Sequence, residues 1–365
     1  MKKALVVASV GGFIDFEKDD IKRLESLGLE VHIACAEKGW EKYLKGIKNR
    51  IIDIPFSRSP FSKSNVKAYK QLKKLINDEK YSLIHCHTPI AGMITRLVAK
   101  KARKKGCKVV YTAHGFHFYQ GAPLINWLLY YPVEWGCSWL TDVLITINIE
   151  DYDLARKKMH AKKIEYVPGV GIDIESIKRK EIDKGKIRDA LGLKVYHKML
   201  LSVGEINANK NHKIIIEAIA KIGDKNLQYY IAGVGILQED LQEMAKRLGV
   251  GDQIHFLGYR NDVLELDKAA DLFCFPSHRE GLSVALMEAI ACGTKVICSN
   301  IRGNRDLAIG NGNVVLFDQR DIDDCADKIK STINMNRNKN SRIDDFSKHN
   351  VKSMMLSLYK EVMKR

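Results

Sequence analysis

Proline is scarce, with seven in 365 residues, no apolar run reaches 18 residues, and the eight cysteines form no C-x-x-C pair. Each shortage excludes something. Without a long apolar run no membrane-spanning helix is expected. Seven prolines and 26 glycines are too few for a collagen-like or low-complexity chain, and a hydrophobic fraction of 45 % is too high for a disordered one. The cysteines, at positions 35, 86, 107, 137, 274, 292, 298 and 325, sit mostly in apolar stretches. They read as buried thiols of a reduced, cytoplasmic protein. Lys2-Lys3 followed by the apolar Ala4–Val10 imitates a signal peptide. It runs into Gly11-Gly12, Asp15 and Glu17 without a cleavage site, and so reads as a buried first strand.

What is present in excess is positive charge, +16 overall. Residues 1–170 carry 29 Lys and Arg against 17 Asp and Glu, so most of the excess lies in the first half. A basic half attracts an anionic lipid surface, a phosphorylated substrate or nucleic acid, although many of these lysines fit solvated helix backs.

Short β-branched runs alternate with helical patterns along the whole chain. Strands are expected at Ala4–Val10, Glu30–Ala34, Arg50–Ile54, Leu83–Cys86, Lys108–Thr112, Val143–Ile147 and Ile164–Val167. In the second half they fall at Met199–Val203, Leu227–Ala232, Ile254–Leu257, Leu272–Phe275, Lys295–Cys298 and Val314–Leu316. Helices fit between, among them Phe16–Leu27, Ala91–Lys105, Lys213–Ile222, Ser283–Cys292 and a terminal Val351–Lys364. The alternation predicts an α/β chain of two Rossmann-like, doubly wound parallel-sheet domains, with ligands at the carboxyl ends of the strands in the cleft where the domains face each other. The expected division is 1–172, a linker over 173–195, 196–345, and a C-terminal helix over 346–365 crossing back to the first domain.

Two motifs carry chemistry. In Glu280-Gly281-Leu282-Ser283-Val284-Ala285-Leu286-Met287-Glu288, a strand ends in a polar loop and a helix starts near Ser283. The free amides of Gly281, Leu282 and Ser283 and the helix N-terminus suit an anion. Glu280 and Glu288, so near an anion site, suit sugar hydroxyls. In Gly204-Glu205-Ile206-Asn207-Ala208-Asn209-Lys210-Asn211-His212, Lys210 is placed as a point charge for phosphate between strand and helix.

Two glutamates separated by seven residues are the mark of the retaining GT-B glycosyltransferases, which this chain resembles over nearly its whole length. Further matches are Gly11-Gly12, Tyr111-Thr112-Ala113-His114, Pro168-Gly169-Val170-Gly171-Ile172-Asp173 and Ala232-Gly233-Val234-Gly235. The likeness is nearest to bacterial transferases of capsular and exopolysaccharide assembly. It implies that Gly11 and Gly12 let the first loop approach the donor diphosphate and that His114 sits beside the donor sugar. Lys210 would neutralise the diphosphate after the Gly204 turn. Glu280 would bind sugar hydroxyls, Gly281–Ser283 the phosphate or sugar, Glu288 the ribose, and Tyr259-Arg260 the nucleobase. It also implies a retaining front-face transfer without metal or cofactor, a nucleotide-sugar donor (UDP favoured), and a polyprenyl-diphosphate-linked saccharide acceptor. The expected place is the cytoplasmic face of the plasma membrane, on anionic lipid, with no nucleic acid bound. Many relatives have arginine where this chain has Glu205, so Arg260, Arg302 or Arg305 is expected to supply the missing charge. An epimerase or phosphorylase on the same scaffold, or a non-catalytic saccharide or nucleic-acid binder, are the rival readings.

Other signals are weaker. Asp151-Tyr152-Asp153 has metal-binding spacing but opens a helix, where acidic residues suit the dipole. His85-Cys86-His87 has no third ligand nearby in sequence and reads as cleft lining. Phe116–Trp139 holds eight of the 29 aromatic residues and one formal charge, Glu134. It fits either a membrane-docking surface or an interior helix, or a mixture of both.

Overall fold

The computed structural model describes residues 1–336 and 342–364; residues 337–341, inside the expected second domain, lie outside the described part. The chain divides into two compact units, 1–170 with 349–365, and 171–348.

The first unit is built on β1 (Lys3–Val10), β2 (Glu30–Ala36), β3 (Arg50–Asp53), β4 (Leu83–His87), β5 (Lys108–Ala113), β6 (Val143–Thr146) and β7 (Lys163–Tyr166). They form one parallel sheet in the order β3-β2-β1-β4-β5-β6-β7. β4 is buried at every position and β1 at all but its ends, as continuous apolar strands covered on both faces must be. One face packs against the helices Ser64–Glu79 and Pro89–Val98, through Leu72, Ile76 and Ile94. The other packs against the helices Gly11–Ser26 and Lys348–Lys364, through Ile14, Leu24, Met355 and Tyr359.

In the second unit β8 (Lys198–Val203), β9 (Leu227–Ala232), β10 (Ile254–Gly258), β11 (Leu272–Phe275), β12 (Val296–Ser299) and β13 (Val314–Phe317) run parallel in the order β10-β9-β8-β11-β12-β13. Each sheet therefore reverses its winding beside its first strand, between β1 and β4 and between β8 and β11. Such a switch point opens a crevice at the carboxyl edge, because the loops leave in opposite directions.

Several elements differ from expectation. The first helix starts at Gly11, directly from extended Val10, so Gly11 and Gly12 form its first turn and not a loop. Residues 173–195 are no linker: they hold the helices Ile174–Arg179 and Lys184–Ala190, and Ile174, Ile177 and Leu193 are buried in the core of the second unit. Apolar spacing across the segment explains the docking. The helix expected over Ala91–Lys105 breaks at Ala99 into Pro89–Val98 and Lys100–Lys104.

The aromatic segment divides by face. Phe116 and Phe118 are buried, as are Glu134 and Cys137, while Leu124 (81 % exposed), Ile125, Leu128, Leu129, Trp135 and Trp139 face solvent. Glu134 is the anchor. Its carboxylate pairs with buried Arg96 at 2.8 Å and accepts from Tyr111 Oη at 3.1 Å, and Arg96 lies 3.9 Å over the Tyr111 ring. A buried charge of this kind needs such full pairing.

Candidate active site

The loops after β8 and β11 meet at the switch point of the second sheet. Lys210 Nζ donates to Glu280 Oε1 at 2.8 Å, and the ammonium stands 4.6 Å above the Phe275 ring. Both side chains are largely buried, which strengthens the pair relative to a surface contact. Asn209 stitches the loops, its carbonyl accepting from His278 N at 2.8 Å and its Nδ2 donating to Arg279 O at 3.0 Å. Asn211 takes the left-handed conformation at φ 51° and donates to Pro276 O and Gln319 O. The lysine's approach also needs a glycine. Gly204 has φ 147°, and a Cβ there would lie 3.1 Å from Lys210 Cε.

Across the crevice Ser283 caps the helix Val284–Ala291, its Oγ accepting from Leu286 N at 3.4 Å. The preceding loop rests on Gly303, where a Cβ would stand 2.1 Å from the Gly281 carbonyl oxygen. Arg302 is buried and its Nε donates to Glu280 O at 3.3 Å. That bond ties Arg302, one of the three arginines expected to supply the missing charge, to this loop. Arg260 is instead held by Asp262 through bonds of 2.8 and 2.5 Å, and Arg305 Nη1 donates to Asn300 O. Glu205 is exposed, turned to solvent.

Glu288 is half-buried on the helix, and burial raises its carboxyl above the usual range against the pull of Lys348. Tyr259 is exposed. Among the described residues, neither Tyr259 nor Arg260, the two expected at a nucleobase, bonds to the Lys210–Glu280 pair.

In the first unit His114 follows β5. Its Nε2 shares a 3.1 Å hydrogen bond with His87 Nδ1, and Phe13 packs on its ring with centroids 4.7 Å apart. Burial pulls it down to about 4, leaving a neutral imidazole able to donate and accept. His85 is committed on both nitrogens, to Tyr359 Oη at 2.7 Å and Thr112 Oγ1 at 2.8 Å. Gly11 and Gly12 lie under Trp40, where a Cβ on Gly12 would stand 2.3 Å from the indole. Asp151 is buried and structural, accepting from Asn148 Nδ2 at 2.8 Å and Phe116 N at 3.0 Å.

Sequence reading missed Trp40, Gly303, Tyr359 and Glu17. Only Glu17 left a trace, as an acidic residue on the apolar face of an amphipathic helix. The others are brought in by long-range packing.

The chain matches two family profiles, "Glycosyl transferase 4-like" over residues 8–148 and "Glycosyl transferases group 1" over 183–349. It is 38 % identical to a putative glycosyltransferase EpsD of Bacillus subtilis, over 84 % of this chain and 81 % of that one. It is 30 % identical to a UDP-Gal:alpha-D-GlcNAc-diphosphoundecaprenol alpha-1,3-galactosyltransferase of Escherichia coli, covering 80 % and 77 %. The crystal structure of Anabaena HepE with UDP-glucose superposes with a TM-score of 0.79 over 99 % of this chain and 100 % of that one, at 18 % identity. Two parallel switch-point sheets, two matching profiles and a relative of this identity and coverage lead to one conclusion: the chain belongs to the GT-B glycosyltransferases, resembling those of exopolysaccharide synthesis.

Proposed function

We propose that this protein moves a sugar, with retention, from a UDP-sugar to a polyprenyl-diphosphate-linked saccharide in capsular or exopolysaccharide synthesis. The observation that carries the reading is the Lys210–Glu280 pair at the switch point. It sets a cation for phosphate and a carboxylate for sugar hydroxyls side by side. A diphosphate would draw Lys210 away from Glu280, freeing that carboxylate for the sugar. The amides of Gly281–Ser283 and the positive end of the Val284–Ala291 dipole would meet the same charge. The printed functions of the Escherichia coli relative and the UDP-glucose complex of HepE support a UDP-sugar donor and a lipid-linked acceptor.

The acceptor oxygen would bond to the anomeric carbon as the bond to the β-phosphate oxygen breaks on the same face. The acceptor proton passes to that departing oxygen, and UDP leaves. Lys210 and the loop amides stabilise the charge that grows on it, without a metal. His114, neutral, would orient the sugar and not act as the base. Incubation with a UDP-sugar panel and a lipid-diphosphate saccharide tests the reading, with the product anomer read by NMR. An inverted anomeric configuration, or no UDP release with any donor, refutes it.

The exposed face of the helices Leu124–Leu129 and Tyr131–Ser138 supports docking on the cytoplasmic membrane face. Next to it runs the basic helix Lys100–Lys104, whose Arg103 donates to Trp139 O at 2.8 Å. Apolar and aromatic groups at the lipid boundary beside lysines for anionic headgroups form an interfacial anchor. Among the described residues no helix is long and apolar enough to cross a membrane.

A further inference from the structure

At the switch point of the first sheet His114 stands in a cluster whose other two members, Glu17 and His87, sugar transfer leaves without a task. Glu17 comes from the second turn of the helix Gly11–Ser26, His87 ends β4, and His114 follows β5. Glu17 is 3 % exposed and His87 1 %. Glu17 Oε2 stands 3.3 Å from His87 Nε2, and Glu17 Oε1 stands 3.9 Å from His114 Nε2. One ligand atom from each residue lies within 4.8 Å of the others. His87 Nε2 is fully buried and makes no hydrogen bond, even with the carboxylate so near. A buried polar atom left in that state costs about 1–3 kcal/mol, which something at the site must offset.

The geometry points to a binding site for a divalent transition-metal ion of the zinc class, held by the Glu17 carboxylate, His87 Nε2 and His114 Nε2. Two imidazoles and one carboxylate with an open fourth position form a zinc donor set. Bonds of about 2.1 Å put tetrahedral ligand atoms about 3.4 Å apart, so Glu17 and His87 already have that spacing and His114 Nε2 must come about half an ångström nearer to Glu17. A cavity of about 30 Å³ is lined by all three residues, room for one water as fourth ligand.

The chemistry agrees with the geometry. Burial keeps both imidazoles neutral, the form that binds metal, and raises the Glu17 carboxyl well above the usual range. A dication would return that carboxylate to its charged form. The charged groups facing Glu17 are Asp20, which also shares a hydrogen bond with it, and Arg23; these two are paired to each other. His85 cannot join, since Tyr359 and Thr112 occupy its nitrogens. The end of β4 is held rigid as well. Thr88, at φ 64°, a conformation rare for a β-branched residue, is tied to Ser9 Oγ at 2.6 Å.

Ligation takes His114 Nε2 from its bond with His87 and fixes the ring. Occupancy therefore switches transfer off, and this half of the inference rests on the role proposed for His114. Metal binding itself does not.

The test is titration of the EDTA-treated full chain with Co²⁺, followed by zinc displacement. One equivalent giving the intense visible bands of four-coordinate cobalt is expected. Glu17→Gln and His87→Gln should weaken binding by more than about 100-fold, beyond what losing an outer partner of a ligand costs. Thermal melts show that each variant is folded, and either one suffices if the other is not. Absence of the bands in the wild type, or equal affinity in a folded variant, overturns the site. Turnover of a UDP-sugar should fall with Zn²⁺ and return with EDTA. Cobalt bands lost in the variants, with turnover indifferent to Zn²⁺, support the site and overturn the role given to His114.

Discussion

Replacing Gly303 with alanine asks whether the Gly281 loop must keep its place for the donor to bind. Gly303 precedes the helix Asn304–Ala308 at φ 75° and ψ −52°, and a Cβ there would lie 2.1 Å from Gly281 O and 2.9 Å from its carbonyl carbon. Ordinary carbon–oxygen contacts begin near about 3.3 Å, so the loop must retreat by roughly 1 Å. Two costs are separable. A non-glycine residue held at positive φ costs of order 1–3 kcal/mol of folding stability. A 1 Å misplacement of a positioning group costs about 100-fold in rate, or about 2.7 kcal/mol. Gly293 supplies the control, because at φ 73° it has nothing within 4 Å of its would-be Cβ. Gly293→Ala carries the backbone strain alone. Both variants should lose stability in urea melts, Gly303→Ala the more, because its ψ lies outside the αL well and its Cβ also meets the Gly281 carbonyl. Only Gly303→Ala should lose UDP affinity by calorimetry and about 100-fold in UDP release. If the two behave alike toward UDP, the loop does not hold the donor and the reasoning fails.

Lys210→Met should lower kcat/KM for the UDP-sugar by about 10²–10³-fold; a loss under tenfold would mean that another cation grips the phosphates. Tyr359→Phe removes a buried partner of His85 and should cost about 1–3 kcal/mol in urea unfolding, where an unchanged midpoint would contradict the bond. Burial pulls His85 down to about 3 and His212 to about 4, against about 6.5 when unfolded. Their contribution to stability is full above about pH 6.5. It falls as pH drops, by about 1.4 kcal/mol per pH unit for each, as the unfolded chain alone takes up protons. Glu17 and Asp267, pushed upward by burial, act in the opposite sense. The measurement is therefore the difference between wild type and His212→Gln, whose stability should fall less steeply between pH 6.5 and 4; parallel curves would refute it. Trp135→Ser with Trp139→Ser should reduce pelleting with anionic vesicles while leaving UDP binding intact, and equal pelleting would defeat the docking face.

How much of this was legible in the sequence depends on the range of the interaction that makes it. The strands were, because β1 and β8 are largely apolar runs, and local pattern decides them. The Lys210 and Glu280 loops were, because each follows a strand and precedes a helix within one short motif. The start of the first helix was not. Gly11-Gly12 reads as a turn, but in the fold the helix begins there at once, and Trp40, nearly thirty residues on, packs where their side chains would stand. Residues 173–195 read as a linker because their charged residues hide the Ile174, Ile177 and Leu193 that dock. The His85-Cys86-His87 pattern lacked a third group because Glu17 and His114 join it only when β1, β4 and β5 lie side by side.

The helix Lys348–Lys364 has a consequence for how the molecule is made. Residues 171–348 form an unbroken stretch, whereas the other unit is stitched from residues 1–170 and the last seventeen. A ribosome therefore delivers the later-encoded unit whole while the earlier one still lacks a helix. Until Val351, Met355 and Tyr359 emerge, one side of the first sheet is covered by the helix Gly11–Ser26 without its neighbour, and His85 lacks a partner. Birth order and completion order are inverted, and the nascent first unit is the one that needs shelter from aggregation.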